Sequence, residues 1–269
     1  MIAMTAARQD ISMHSTPRWF PALARRFARP AIAAVAVFAI ATAAGAATLT
    51  LEQAVQGKNR SPSFIARDPA RHPSEELRFF GVSPTSSVVE IWPGGGYWTE
   101  ILAPYLHDTG RYTLAVDVPN GEPEGQNFAM GDKFAARLDA DPTTFGKVEY
   151  TFFGLKHPQL LTPESVDVVL TFRNLHNWVN QFDAEIFLAS VHRALKLGGT
   201  LGVEDHRGNP HLPQDPKARF GYLRQDYAVR LIEKAGFKLV GASEINANPR
   251  DTADYPRGVW TLPPSFALG

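Results

Sequence analysis

The sequence predicts an α/β fold: a doubly wound, mostly parallel sheet of seven strands, with an antiparallel C-terminal hairpin and a short helical N-terminal extension. Three observations predict it. From residue 81 onward, short apolar or β-branched runs alternate with amphipathic helical stretches. The run VDVVLTF, 166–172, is apolar almost throughout, as a strand buried on both faces requires. The last two strand-like runs, FKLVGASEI (237–245) and GVWTLPP (258–264), follow each other with no helix between them.

In chain order, residues 1–46 read as an address rather than as fold. Arg25, Arg26 and Arg29 precede the apolar run from Ala31 to Ala47, which passes through Ala44-Gly45-Ala46. A basic stretch, an apolar stretch and a small-x-small exit make a secretory signal, expected to be cleaved after Ala46. The mature protein is then periplasmic or secreted. If uncleaved, the segment is an N-terminal membrane anchor, and this is the sole membrane contact expected. Arg25-Arg26-Phe27 has only a faint likeness to a twin-arginine signal.

Residues 47–80 read as a helical extension. LTLEQAVQG, 49–57, is a short helix stopped by Gly57, and SEELRFFGV is a second one with Ser74 as its cap. The polar stretch between them, Asn59 to His72, is a candidate lid that brings Arg60, Arg71 and His72 to a substrate. The main domain, 81–269, begins with the strand SVVEIW (87–92) and a glycine turn leading into a helix over 99–106. Strands YTLAVDV (112–118), VEYTFFG (148–154), VDVVLTF and TLGVEDH (200–206) follow, with helical patterns over 124–139, 183–197 and 222–236.

Composition narrows the function. The 269 residues are 44% hydrophobic and 20% charged, as in a globular protein. Net charge is zero, but residues 1–46 carry +4, leaving −4 on the rest, which gives no electrostatic case for nucleic acid. The absence of cysteine excludes disulfides, thiolate metal ligands and a cysteine nucleophile.

Two constellations carry chemistry. The first is Gly94-Gly95-Gly96 between a strand and a helix, where missing Cβ atoms let a ligand approach the backbone. Asp117, at the end of the next strand, is placed to accept the hydroxyls of an adenosine ribose. This is the Rossmann-like arrangement. The second lies at the carboxyl ends of the fourth and fifth strands: Arg173, Asn174 and His176 on one, Asp205, His206 and Arg207 on the other. A histidine there is a natural general base, and the arginines are suited to an anionic substrate. His176, Asp205 and His206 can also ligate a metal, but no short metal motif accompanies them, and none is expected.

VVEIWPGGGYWTE, 88–100, resembles the first motif of class I S-adenosylmethionine (SAM)-dependent methyltransferases. On that resemblance Glu90 matches the motif acid, Gly94 and Gly96 its last two glycines, and Asp117 the ribose-binding acid. VDVVLTFRNLHNW and LKLGGTLGVEDH match the family's fourth-strand and fifth-strand passages, so the likeness runs from about Gly81 to the C-terminus. EIWPGGGYWTEILAPYL, RNLHNW and the signal segment together resemble a group of exported bacterial proteins described as methyltransferases. The resemblance implies SAM as cofactor, held by Glu90, Trp92, Gly94, Gly95, Gly96 and Asp117, and methyl transfer to a small molecule. His176, His206, Arg173, Asn174 and Asp205 are then the catalytic candidates. Trp92 stands where the family has its first glycine, and is expected to alter how the turn packs beside the methionine end of SAM. No acid follows the third strand, where Lys156 and His157 stand instead. Two other readings remain at this point. One is a non-catalytic small-ligand-binding protein on the same fold. The other is an NAD(P)-dependent oxidoreductase, against which Thr99 occupies the last glycine position of G-x-G-x-x-G.

Overall fold

A computed structural model describes residues 1–7, 48–117, 132–181, 184–263 and 265–267. The apolar run Ala31 to Ala47 and the first part of the helix expected over 124–139 lie outside them. Among the described residues no helix is long and apolar enough to cross a membrane.

Seven strands form one sheet: β1 (Ile2–Ala6), β2 (Ser87–Ile91), β3 (Arg111–Val116), β4 (Glu149–Phe152), β5 (Val166–Phe172), β6 (Leu195–Glu204) and β7 (Phe237–Ala242). Their order is β4-β3-β2-β5-β6-β1-β7. Strands β4, β3, β2, β5 and β6 run parallel to one another, and β1 is antiparallel to both β6 and β7. Strand β2 lies between β3 and β5, and its residues Val88, Val89 and Ile91 are sealed from solvent on both faces. This is the doubly wound, Rossmann-like sheet that the alternating pattern predicts.

Helices cover both faces. On one, α8 (Leu175–Gln181), α9 (Ala184–Ala194) and α10 (Gln225–Lys234) set Trp178, Phe187, Val191 and Ile232 against Val89, Ile91 and Val169. On the other, α1 (Leu51–Val55), α4 (Pro73–Phe79), α5 (Thr99–Leu106) and α6 (Asp132–Ala140) set Leu51, Leu77, Ile101 and Phe134 against Val88, Leu114 and Leu170. Helix α1 begins at a capping box in which Gln53 N–H donates to Thr50 Oγ1 (3.2 Å) and Thr50 N–H to Gln53 Oε1 (2.8 Å). Ser74 is not the cap of α4: Pro73 occupies the first turn and His72, in the left-handed region at φ 42°, precedes it.

The antiparallel strand comes from an unexpected place. GVWTLPP does not pair with β7. Gly258–Thr261 forms a 3-10 turn in which Val259 N–H donates to Phe220 O at 3.0 Å. Gly258 has φ 59°, outside strand geometry, and Pro263 has no N–H to give a ladder. The position beside β7 belongs to Ile2–Ala6, inside the segment read as an address. Ile2, Met4 and Ala6 join one core face and Ala3 the other, a period-two pattern that makes both faces of β1 apolar.

Candidate active site

The glycine turn leaves the carboxyl end of β2. Trp92 N–H donates to Ala115 O (2.8 Å), and Gly96 N–H to Pro93 O (3.0 Å), so the turn is pinned at both ends. Asn174 Nδ2 donates to Ile91 O at 3.0 Å, which ties the end of β2 to the end of β5. Gly94 has φ 59°, is exposed, and has open space where a Cβ would stand. Gly95 is also exposed. These two form the cradle. Gly96 serves packing instead: it is buried at φ 84°, and any Cβ there would overlap the Phe134 ring.

Trp92 does not obstruct the turn. Its backbone adopts φ 50°, a glycine-like conformation. That turns the indole toward the core, where Nε1 donates to Phe153 O (2.9 Å) and the ring meets Trp178 and Phe187 edge to face. The expected disturbance of the turn is therefore absent from its exposed side. Glu90 also faces inward. It is 2% exposed and accepts from Thr99 Oγ1 (3.2 Å) and from Tyr112 OH, beneath the turn. It supports the cradle from beneath. Burial pushes its carboxyl up to about 7, against the opposing effect of the Tyr112 and Thr99 hydrogen bonds.

That shift has a stability consequence. A carboxyl whose pKa is higher folded than unfolded contributes stability below its unfolded value of 4.5, and this is lost as pH rises through 7. Its ionisation opposes folding by about 3 kcal/mol at alkaline pH. Glu90→Gln is expected to melt higher than the parent at pH 8.5 and alike at pH 4.5; thermal unfolding at the two pH values checks this.

Asp117 follows β3 and is half-buried. Gly154, past the end of β4, makes room for it, because a Cβ there would overlap Asp117 Oδ1. Sequence reasoning did not single out Gly154; its place at the end of the neighbouring strand is the signal that could have found it.

The second constellation is brought together as expected. Asp205, whose side chain is 9% exposed, accepts three donors: His176 N–H (2.9 Å), His206 N–H (2.7 Å) and His176 Nδ1 (2.6 Å). Burial alone would raise its pKa, but His176 and His206 outweigh that and hold it below the usual carboxylate range. An ionised carboxylate can only accept, so Nδ1 of His176 carries a proton. The His176 ring is buried and meets the rings of His206 and Trp260, each at 5.9 Å. His206 has no ring hydrogen bond among the described residues. Its pKa is lowered, first by burial, with Asp205 and Glu204 opposing.

Arg173 has φ 59°, its N–H donates to Glu204 O (2.7 Å), and its Nε lies 3.6 Å from Glu204 Oε2. Arg207 is not free for a substrate: it is exposed and forks onto Glu244 at 2.5 and 2.6 Å. Among the described residues no group of three metal-ligating side chains is present.

A cavity of about 570 Å³ opens at the carboxyl ends of β5 and β6. Arg173, Glu204, Asp205 and His206 line it, and His176 stands behind. Ala66, Arg67, Ala70 and Arg71 of the N-terminal extension form another part of its wall. Arg60 is elsewhere, forked onto Asp68 at 2.6 and 2.9 Å, and His72 Nδ1 lies 3.1 Å from Asn246 Oδ1. Tyr97, just after the glycine turn, was not anticipated. Its OH donates to Asp68 Oδ1 (2.6 Å), and the Arg71 guanidinium lies 4.3 Å from its ring centre.

The sequence matches no family model and no curated protein. Among solved structures, the chain is similar to a SAM-dependent methyltransferase from Aquifex aeolicus, at 15% identity and TM-score 0.48 over 72% of this chain and 90% of that one. It is similar to the glycopeptide N-methyltransferase MtfA, at 16% identity and TM-score 0.49 over 71% and 94%. An arsenic(III) SAM methyltransferase from Chlamydomonas reinhardtii follows at 19% identity and TM-score 0.43 over 58% and 52%. Likenesses this distant carry no argument about activity, and the site's own geometry has to carry it.

Proposed function

We propose that the chain is a SAM-dependent methyltransferase acting on a small-molecule acceptor, with His206 as general base. One observation carries the reading. A glycine cradle with a carboxylate at the next strand end, and a cavity holding an unbonded histidine, lie at the same carboxyl edge of one doubly wound sheet. The residues present fit the cofactor: Gly94 leaves the backbone open, the exposed Gly95 has only the Phe64 ring beside it, and Gly154 leaves space for the Asp117 carboxylate.

When bound, SAM supplies an electrophilic methyl group. Asp117 accepts the ribose hydroxyls, and the turn offers its N–H groups. Asn174 keeps the turn and the cavity in register by holding the end of β2. The acceptor's nucleophilic atom loses its proton to His206, whose lowered pKa leaves the ring neutral at pH 7. Asp205 and His176 are positioning residues that fix His206 and fill the space behind it. The extension acts as a lid through Ala66 to Arg71.

The full chain should be titrated calorimetrically with SAM and with S-adenosylhomocysteine, using NAD(H) and NADP(H) as controls. A panel of phenols, amines and carboxylates should then be screened for release of S-adenosylhomocysteine. Binding of SAM in the micromolar range is expected, and Asp117→Ala should weaken it at least tenfold in a chain that stays folded. Binding of a nicotinamide cofactor alone would overturn the reading, and binding of neither would favour a ligand-binding protein.

A further inference from the structure

The cavity wall carries positive charge that the protein does not neutralise. Arg71 is only 7% exposed, and its Nη2 is buried with no hydrogen-bond partner. A buried guanidinium normally has its donors satisfied, because an unpaired buried charge is strongly unfavourable. Among the described residues neither Arg71 nor Arg67 forms a side-chain ion pair. Both lie against the Tyr97 ring, at 4.3 and 5.8 Å from its centre, which places them together. Arg67 is half-buried, and Arg173, the third guanidinium, lines the same cavity as Arg67 and Arg71. Glu204 is the acid of the cavity wall beside Arg173; it lies 3.6 Å from the Arg173 Nε without a hydrogen bond, and that same oxygen is likewise unsatisfied. The other acids of the wall are engaged: Asp205 by the two histidines, Glu244 by Arg207, and Asp251 by Tyr222 OH at 3.2 Å. Three guanidinium groups therefore face one carboxylate in a space that also holds His206.

We propose that this cavity binds an acceptor carrying a carboxylate or phosphate group, which Arg67, Arg71 and Arg173 hold while His206 faces the atom to be methylated. Guanidinium forks match both anions. Arg71 stacks on Tyr97, and Arg67 and Arg71 belong to the extension, so the anion also draws the extension against the sheet. The role as acceptor rests on the methyltransferase reading; the anion site itself does not, and it is measured without SAM.

The probes are phenyl phosphate and benzoate, with phenol as the uncharged control, titrated into the full chain by calorimetry. Both anions are expected to bind and phenol to bind much more weakly. Arg67→Gln and Arg71→Gln should each weaken the anions by about ten- to a hundredfold, the loss expected for one charge-assisted contact. Arg67 is half-exposed, so Arg67→Gln keeps the test valid if Arg71→Gln fails to fold. Equal binding of phenol, or anion affinity unchanged in the folded variants, would overturn the site. The source of the anion is decided by repeating the titration with saturating S-adenosylhomocysteine. Undiminished binding supports an acceptor. Competition would assign the arginines to the carboxylate of the cofactor and overturn the acceptor proposal. If S-adenosylhomocysteine does not bind at all while the anions do, the anion site stands and the methyltransferase reading falls.

Discussion

Replacing His206 with alanine is expected to slow methyl transfer by about a hundred- to ten-thousandfold, the range usually lost with a general base. The measurement is kcat for S-adenosylhomocysteine release with the acceptor found by screening. SAM affinity should be unchanged, because His206 lines the cavity of β5 and β6 and not the glycine turn. The pH profile is the sharper test. The folded pKa of His206 lies below 6.5, burial being the largest cause, so the rate should be flat at neutral pH and fall only below 6.5. Asp205 opposes that shift, so Asp205→Asn should move the acid limb to still lower pH as well as reduce kcat. A residue that merely fills space would leave the limb where it is. An acid limb at or above pH 7 in the parent would remove His206 as the base.

Removing residues 1–47 is expected to unfold the domain or leave it marginal. Strand β1 pairs with β6 from Ile2–Val203 to Thr5–Thr200, and with β7 from Ile2–Ala242 to Ala6–Phe237. Its loss exposes two ladder edges and uncovers a core seam that holds Met4 with no solvent exposure. Fully burying one such side chain contributes about 1.5–3 kcal/mol, and a whole domain is stable by only about 5–15 kcal/mol. A milder probe is Met4→Asp, which puts a charge in the same seam and should destabilise by about 4 kcal/mol or more, lowering the melting temperature by roughly 10 °C. Urea and thermal unfolding of both variants check this. A truncated chain that melts like the full one would make β1 dispensable, and would suit a leader cleaved after Ala46.

The sheet was legible wherever local pattern decides structure. Residues 166–172 and 87–92 show strands buried on both faces, and the polar clusters after them had to fall at carboxyl ends because the connections are helical. Thus Asp205, His176 and His206 were found together. The antiparallel strand was misplaced for a physical reason. Residues 2–6 give five weakly patterned positions ahead of a basic and apolar stretch, and their partners lie about two hundred residues away. GVWTLPP has the aromatic and β-branched content of a strand, but its glycine and prolines suit a turn. Trp92 and Glu90 show a second limit. Residue type foresaw a bulky ring and an acid at the motif, whereas the side each takes follows from φ at Trp92 and from the Tyr112 and Thr99 hydroxyls beneath Glu90. The unpaired charge of Arg71 was out of reach, since it depends on what does not stand beside it.

The pairing of β1 also bears on how the protein is made. Its partners are β6 and β7, the last of which ends at Ala242. A ribosome adding about 5–20 residues each second reaches that point roughly 10–50 s after the first strand is synthesised. For that interval Ile2–Ala6 is an apolar strand without its full slot: β6 is complete at Glu204, and the second edge has a partner only when β7 follows. Contacts between such distant parts form slowly even in a complete chain, because a long loop must be closed first. The strand made before the other six of this sheet is therefore completed on its second edge by the one made after them.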